Sequence, residues 1–176
     1  MNSNLRALIG SALLMSSTLC MGAESVPGIL PSGFGPEVDR DVKAVRAVTS
    51  PFHNVDAALA AGYKQDTECM ENQPEGGMGY HFGKRELHDG KVELEKPEVL
   101  VYEKRADGTF KLNGVEYIVP ISAWKQSEAP TVMGQPLKRF ERGGFYYLHV
   151  WIWEQSPSGI FADWNPRVKC SKPMDH

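Results

Sequence analysis

The chain has 176 residues, 41% hydrophobic and 23% charged, with a formal net charge of −3 at pH 7. That length suits one ordinary domain with a single core. The charge is scattered and forms no basic stripe, which disfavours a nucleic-acid role, and past the N-terminus no apolar run approaches a membrane-spanning length.

Residues 1–23 read as an export signal. Arg6 supplies the positive start, residues 8–15 (LIGSALLM) form an apolar core too short to span a bilayer, and Met21-Gly22-Ala23 ends in small residues suited to cleavage near Ala23. Cys20 follows a bulky Leu19, which argues against lipidation. The expected location is periplasmic or secreted. Without Arg6, 18 Lys+Arg stand against 22 Asp+Glu, a net charge near −4. Two cysteines then remain, Cys69 and Cys170, outside any C-x-x-C. An even count in an oxidising compartment points to one disulfide. The rival is a pair of free thiols or half a metal site.

Residues 24–35 (ESVPGILPSGFG) read as a flexible leader, and 36–176 as a single domain. Pro36 sits where a first helical residue should, and Val38, Val42, Val45 and Val48 follow at helical spacing. Ser50-Pro51 restarts the pattern as N-cap and first residue, with Phe52, Val55 and Leu59 as its apolar stripe and Gly62 as its stop. After Tyr63 strands take over, at residues 78–83, 98–104 and 109–112, with a turn at Asp107-Gly108. Asn113-Gly114 predicts a two-residue hairpin leading into residues 115–119. Residues 145–153 (FYYLHVWIW) predict the longest strand. Helices first, then closely spaced strands, predict an α+β fold with two short N-terminal helices on a largely antiparallel, curved sheet. Residues 120–144 show no period, so they hold either a lid or an element that the pattern conceals.

His149 is the one residue of 145–153 that is neither aromatic nor aliphatic. Strand alternation puts Phe145, Tyr147, His149, Trp151 and Trp153 on one face, and Tyr146, Leu148, Val150 and Ile152 on the other. The aliphatic face suits the helices; the aromatic face suits a pocket. A core histidine with one hydrogen-bond partner is the plain alternative. His81, between aromatics in Gly79-Tyr80-His81-Phe82, is the second imidazole that could meet it. Two imidazoles from two strands suit a transition metal ion, with zinc or copper the leading cofactors, although no H-x-H or H-E-x-x-H spacing supports this. Glu116 and Glu98 are the candidate carboxylates. In the predicted hairpin Lys111 would face Glu116, and that cross-strand pair would explain Glu116 without any function. Met70, Met78 and Glu71 near His81 would add copper-favouring thioethers, or simply core filler. His53, His88 and His176 read as exposed and structural.

The blocks PFHNVDAALAAGY, Cys69, GGMGYHF, PEVLVYE, GVEYIVP, LHVWIW and PSGIFADWNPRVKC, in this order over roughly residues 44–170, resemble a family of small secreted bacterial proteins. The resemblance implies export and cysteines at these two places; it brings no activity or catalytic assignment. Three functions compete. One is an exported small-molecule or metal-ion binder, with a pocket formed by His81, His149, Glu116, Tyr147, Trp151 and Trp153. The second is an enzyme using that pocket for general acid–base or metal-assisted chemistry. The third is a non-catalytic envelope or interaction domain.

Overall fold

The computed structural model describes residues 30–170. The export signal, most of the leader and His176 lie outside the described residues. The first helix, α1 (Pro36–Thr49), opens on Pro36 with Glu37 and Asp39 in its first turn and Arg46 in its last, the arrangement that the helix dipole favours. Val38, Val42 and Val45 are buried as their spacing predicts, but Thr49 takes the next buried place. Its hydroxyl donates to the Val45 carbonyl at 2.7 Å. A 3-10 turn covers Ser50–His53, and α2 (Val55–Ala60) starts from Asn54, whose side-chain oxygen accepts the Asp56 N–H at 3.0 Å. The cap is therefore Asn54 and not Ser50, and the buried stripe shifts with it: Ala58 is buried and Leu59 exposed.

The strands are β1 (Lys64–Gln65), β2 (Met70–Asn72), β3 (Gly76–Gly83), β4 (Val99–Lys104), β5 (Phe110–Pro120), β6 (Thr131–Val132), β7 (Gln135–Pro136), β8 (Lys138–Phe140) and β9 (Phe145–Val150). The main sheet runs β1-β3-β4-β5-β9-β8 with β2 also on β3, while β6 and β7 form a separate hairpin. Every pairing is antiparallel. The fold is α+β, with the helices packed on one face of the sheet.

Two expectations fail here for one reason. Asn113-Gly114 is not a hairpin turn. The chain turns earlier, at Asp107-Gly108, and β5 runs through both residues as the longest strand of the sheet. Val101 pairs with Gly114 and Tyr102 with Leu112, so Asn113 is the extra residue of a β-bulge. The bulge keeps Leu112 and Val115, three residues apart, on the same core face. It is fixed from outside the strand: the Asn113 carbonyl accepts the N–H groups of both Trp153 and Glu154 at 2.9 Å. A Cβ at Gly114 would lie 2.5 Å from the Val150 carbonyl oxygen. Those contacts also end β9 at Val150, three residues sooner than the hydrophobic run suggests.

Residues 120–144 contain the concealed elements β6, β7 and β8. Met133 and Gly134, both at positive φ, make the two-residue turn between β6 and β7. Val132, Met133 and Leu137 are buried in the main core.

The helix-covered face holds Tyr80, Phe82, Leu100, Tyr102, Leu112, Val115, Tyr117, Val119, Leu148 and Val150. The opposite face is crossed by the C-terminal segment. Gly77 and Asn165 exchange backbone hydrogen bonds at 3.1 and 2.9 Å, and the Gly77 N–H is shared with the Val168 carbonyl. The approach needs glycine, because a Cβ at Gly76 or Gly77 would fall 2.3 Å from the Asn165 oxygen or 2.8 Å from the Val168 oxygen. The Cys69–Cys170 disulfide, with Cα atoms 5.6 Å apart, fastens the end of this segment. Among the described residues no helix is long and apolar enough to cross a membrane.

Candidate functional site

Glu116 occupies the middle of the second face. On β5 it lies opposite Val99 of β4 and opposite His149 of β9. His81 of β3 approaches with β4 between them, its Nε2 lying 3.5 Å from Glu116 Oε2. Strand alternation from three strands thus brings His81, Glu116 and His149 together. All three are buried, at 5%, 6% and 0% exposure. The cross-strand explanation of Glu116 is overturned, because Lys111 sits opposite Glu103 and forms its ion pair with Glu154. Among the described residues Glu116 has no lysine or arginine partner.

Thr67 holds the His81 ring from the other side. Its Oγ1 accepts the His81 backbone N–H at 3.2 Å and lies 3.0 Å from Nδ1. The hydroxyl can donate to Nδ1 or accept from it; where it donates, the ring proton sits on Nε2, facing Glu116. The 3.5 Å separation there is longer than a good hydrogen bond. His149 packs against Trp151 with ring centroids 4.4 Å apart and planes tilted by 41°, and its centroid is 6.1 Å from that of His81. Neither of its nitrogens has a hydrogen-bond partner among the described residues. A buried polar group without a partner costs about 1–3 kcal/mol.

Burial governs the charges. Desolvation, with a contribution from Asp163, pushes the Glu116 carboxyl up to about 8. Desolvation brings His81 down to about 4 and holds His149 well below the ordinary imidazole range, helped by His81 and Lys138. At pH 7 the cluster is therefore a neutral acid beside two neutral imidazoles.

Two cavities meet at Glu116. A cleft of about 410 Å³ runs from Asp66, Thr67 and His88 past His81 to Gly144 and Phe145. A smaller one of about 280 Å³ has Met70, Met78, Phe140, Phe145, Tyr147 and Trp164 around the same carboxyl. Tyr147 donates its hydroxyl to Asp163 at 3.3 Å, and Asp163 pairs with Lys138. Trp151 is fully buried, with its Nε1–H donated to the Ala162 carbonyl at 2.7 Å.

Of the residues expected at the pocket, Glu116 lines both cavities, His81 the larger and Tyr147 the smaller, while His149 and Trp151 share this face but line neither. Trp153 does not share it. β9 has ended before it, and its indole N–H donates to Thr49 Oγ1 while Arg46 lies 4.6 Å over its ring, on the helix side. His88, expected to be exposed, borders the larger cleft. His53 is exposed, packed edge-on to Trp153. Glu98 is buried away from the cluster, where its Oε2 accepts the Ile118 N–H at 3.1 Å. Among the described residues no group of three His, Cys, Asp or Glu is disposed to hold a metal ion. Thr67, Asp163 and Trp164 were missed by sequence reasoning; each lies outside a periodic segment and is brought in by tertiary contacts. Comparison with protein-family models, curated proteins and solved structures finds no match.

Proposed function

We propose that the chain is an exported binding protein for a small organic molecule, with Glu116 and His81 at the floor of its site, His149 buried beneath them, and Phe145, Tyr147 and Trp164 along its wall. The observation that carries this reading is the position of Glu116: a desolvated carboxyl with no cationic partner among the described residues, where two cavities join. Buried polar groups with unmet valences beside an apolar pocket are the ordinary composition of a ligand site. The disulfide agrees with an oxidising compartment. An organic ligand is preferred to a metal ion because no three-residue ligand group is formed among the described residues.

Catalysis is the second reading, favoured by one observation: adjacent groups whose proton affinities are driven in opposite directions, Glu116 upward and His81 downward, as an acid–base pair requires.

NMR titration of backbone amides with a panel of small aromatic and alkyl compounds tests the site. Binding should move the signals of His81, Glu116, Phe145 and Tyr147 and be weakened in a folded Glu116→Gln variant. If no compound moves them at about 10 mM, or shifts gather elsewhere, the reading fails. Conversion of a bound compound, lost in that variant, would decide for the enzyme.

A further inference from the structure

The smaller cavity has an unusual composition for a site holding a buried acid. Its wall includes four aromatic residues, Phe140, Phe145, Tyr147 and Trp164, and its one titrating carboxyl is that of Glu116. Phe140, Phe145 and Tyr147 pack edge to face, with centroids 5.4 to 6.4 Å apart. Aromatic rings carry negative charge on their faces, so a cluster of them beside a carboxylate favours a positive charge. Tyr147 already attracts one: the Lys138 Nζ stands 5.8 Å from its ring centroid.

The surrounding charges leave room for one more cation. On the C-terminal segment Asp163 is neutralised by Lys138 of β8 and accepts the Tyr147 hydroxyl. His81 of β3 and His149 of β9 are held neutral by burial. Asp66 and His88 border the larger cleft, on the other side of Glu116. Ionised Glu116 would thus be the one charge of this cluster without a partner among the described residues. An anionic or neutral ligand would leave the Glu116 carboxyl in its protonated form, whereas a cation would match the ionised one.

We infer that this cavity takes a small organic cation, an ammonium group on an apolar body, with its charge set between the Glu116 carboxylate and the rings of Phe145, Tyr147 and Trp164. The inference rests on the binding reading above and names its ligand class. Binding is an exchange: the cation enters and the Glu116 proton leaves to solvent. Since the free carboxyl titrates at about 8, affinity should improve about tenfold per pH unit from pH 6 upward and level off above 8.

Calorimetry with choline and benzyltrimethylammonium, against 3,3-dimethylbutan-1-ol as choline's uncharged carbon isostere, provides the test. Both ammonium probes should bind, with release of about one proton at pH 7, and the isostere should bind at least about tenfold more weakly. Glu116→Gln, with its fold confirmed by amide NMR, should lose both the pH slope and the preference for charge. Trp164→Ala should weaken binding about fivefold and keep the slope. An isostere that binds as well as choline would overturn the cation assignment and leave the pocket standing. Ammonium binding unchanged in Glu116→Gln would also overturn it. If neither the ammonium probes nor the isostere bind at about 100 mM, both the cation assignment and the pocket reading fall.

Discussion

The two faces of the sheet treat buried polar atoms in opposite ways. On the helix side, three buried tyrosines end on carbonyls: Tyr63 on Pro97 at 2.8 Å, Tyr102 on Phe52 at 2.7 Å and Tyr117 on Leu94 at 2.6 Å. Glu98, the other buried carboxyl, also has its backbone N–H. On the opposite side His81 Nε2 and both nitrogens of His149 have no hydrogen-bond partner among the described residues, and Glu116 has no cation. The first face is built as a sealed core. The second gathers unmet valences at His81 and His149; elsewhere among the described residues the Asn113 side-chain amide, in the β5 bulge, and His88 Nε2 are also buried without partners. That difference locates function, because unsatisfied buried groups persist only where something offsets their cost.

The largest predicted effect tests whether the second face is packed as well as the first. Trp151→Ala should destabilise by about 3–5 kcal/mol in chemical denaturation, as truncation of a fully buried aromatic does. A loss under about 1 kcal/mol would mean that this face is not a core. Reducing the disulfide should remove about 2–5 kcal/mol. Hydrogen exchange should then rise first at the Gly77 and Val168 amides, which tie the C-terminal segment to the second face, and last in β4 and β5.

Glu116→Gln separates the faces by pH. The folded carboxyl titrates at about 8 against an ordinary 4.5, so the native state holds the proton more tightly than the unfolded chain. This contribution to stability is complete below pH 4.5 and is lost as pH rises toward and through 8. The variant lacks the loss, so its stability should gain on the wild type in that window, at up to about 1.4 kcal/mol per pH unit. A constant difference would contradict it. His81 acts in the reverse sense: its folded value near 4 lies below the ordinary 6.5, so its contribution is complete above 6.5 and is lost as pH falls toward 4. The smallest effect belongs to the sealed face. Tyr102→Phe should cost about 1 kcal/mol, the worth of one satisfied hydrogen bond, with no change in ligand binding.

Strand periodicity made much of this legible in the sequence. Alternation alone sorted Tyr147, His149 and Trp151 from Tyr146, Leu148 and Val150, and the count of cysteines paired Cys69 with Cys170. The failures share a cause. Asn113-Gly114 has the local chemistry of a turn, but the N–H groups of Trp153 and Glu154, forty residues on, hold it as a bulge. Lys111 was assigned to Glu116 through that false turn and belongs to Glu154. Trp153 followed the alternation past the point where the strand stops. Asp163 and Trp164 stand in an aperiodic stretch, laid over the sheet by Gly76, Gly77 and the disulfide. Their place depends on contacts that no local pattern encodes.

The central claim is that Glu116 is a buried acid without a charge partner among the described residues. Carbon-13 NMR of the glutamate side-chain carboxyls, with Glu116 assigned by its absence in Glu116→Gln, measures this directly. The account predicts a carboxyl still protonated at pH 7 with its midpoint at about 8; a midpoint at the ordinary 4.5 would contradict it.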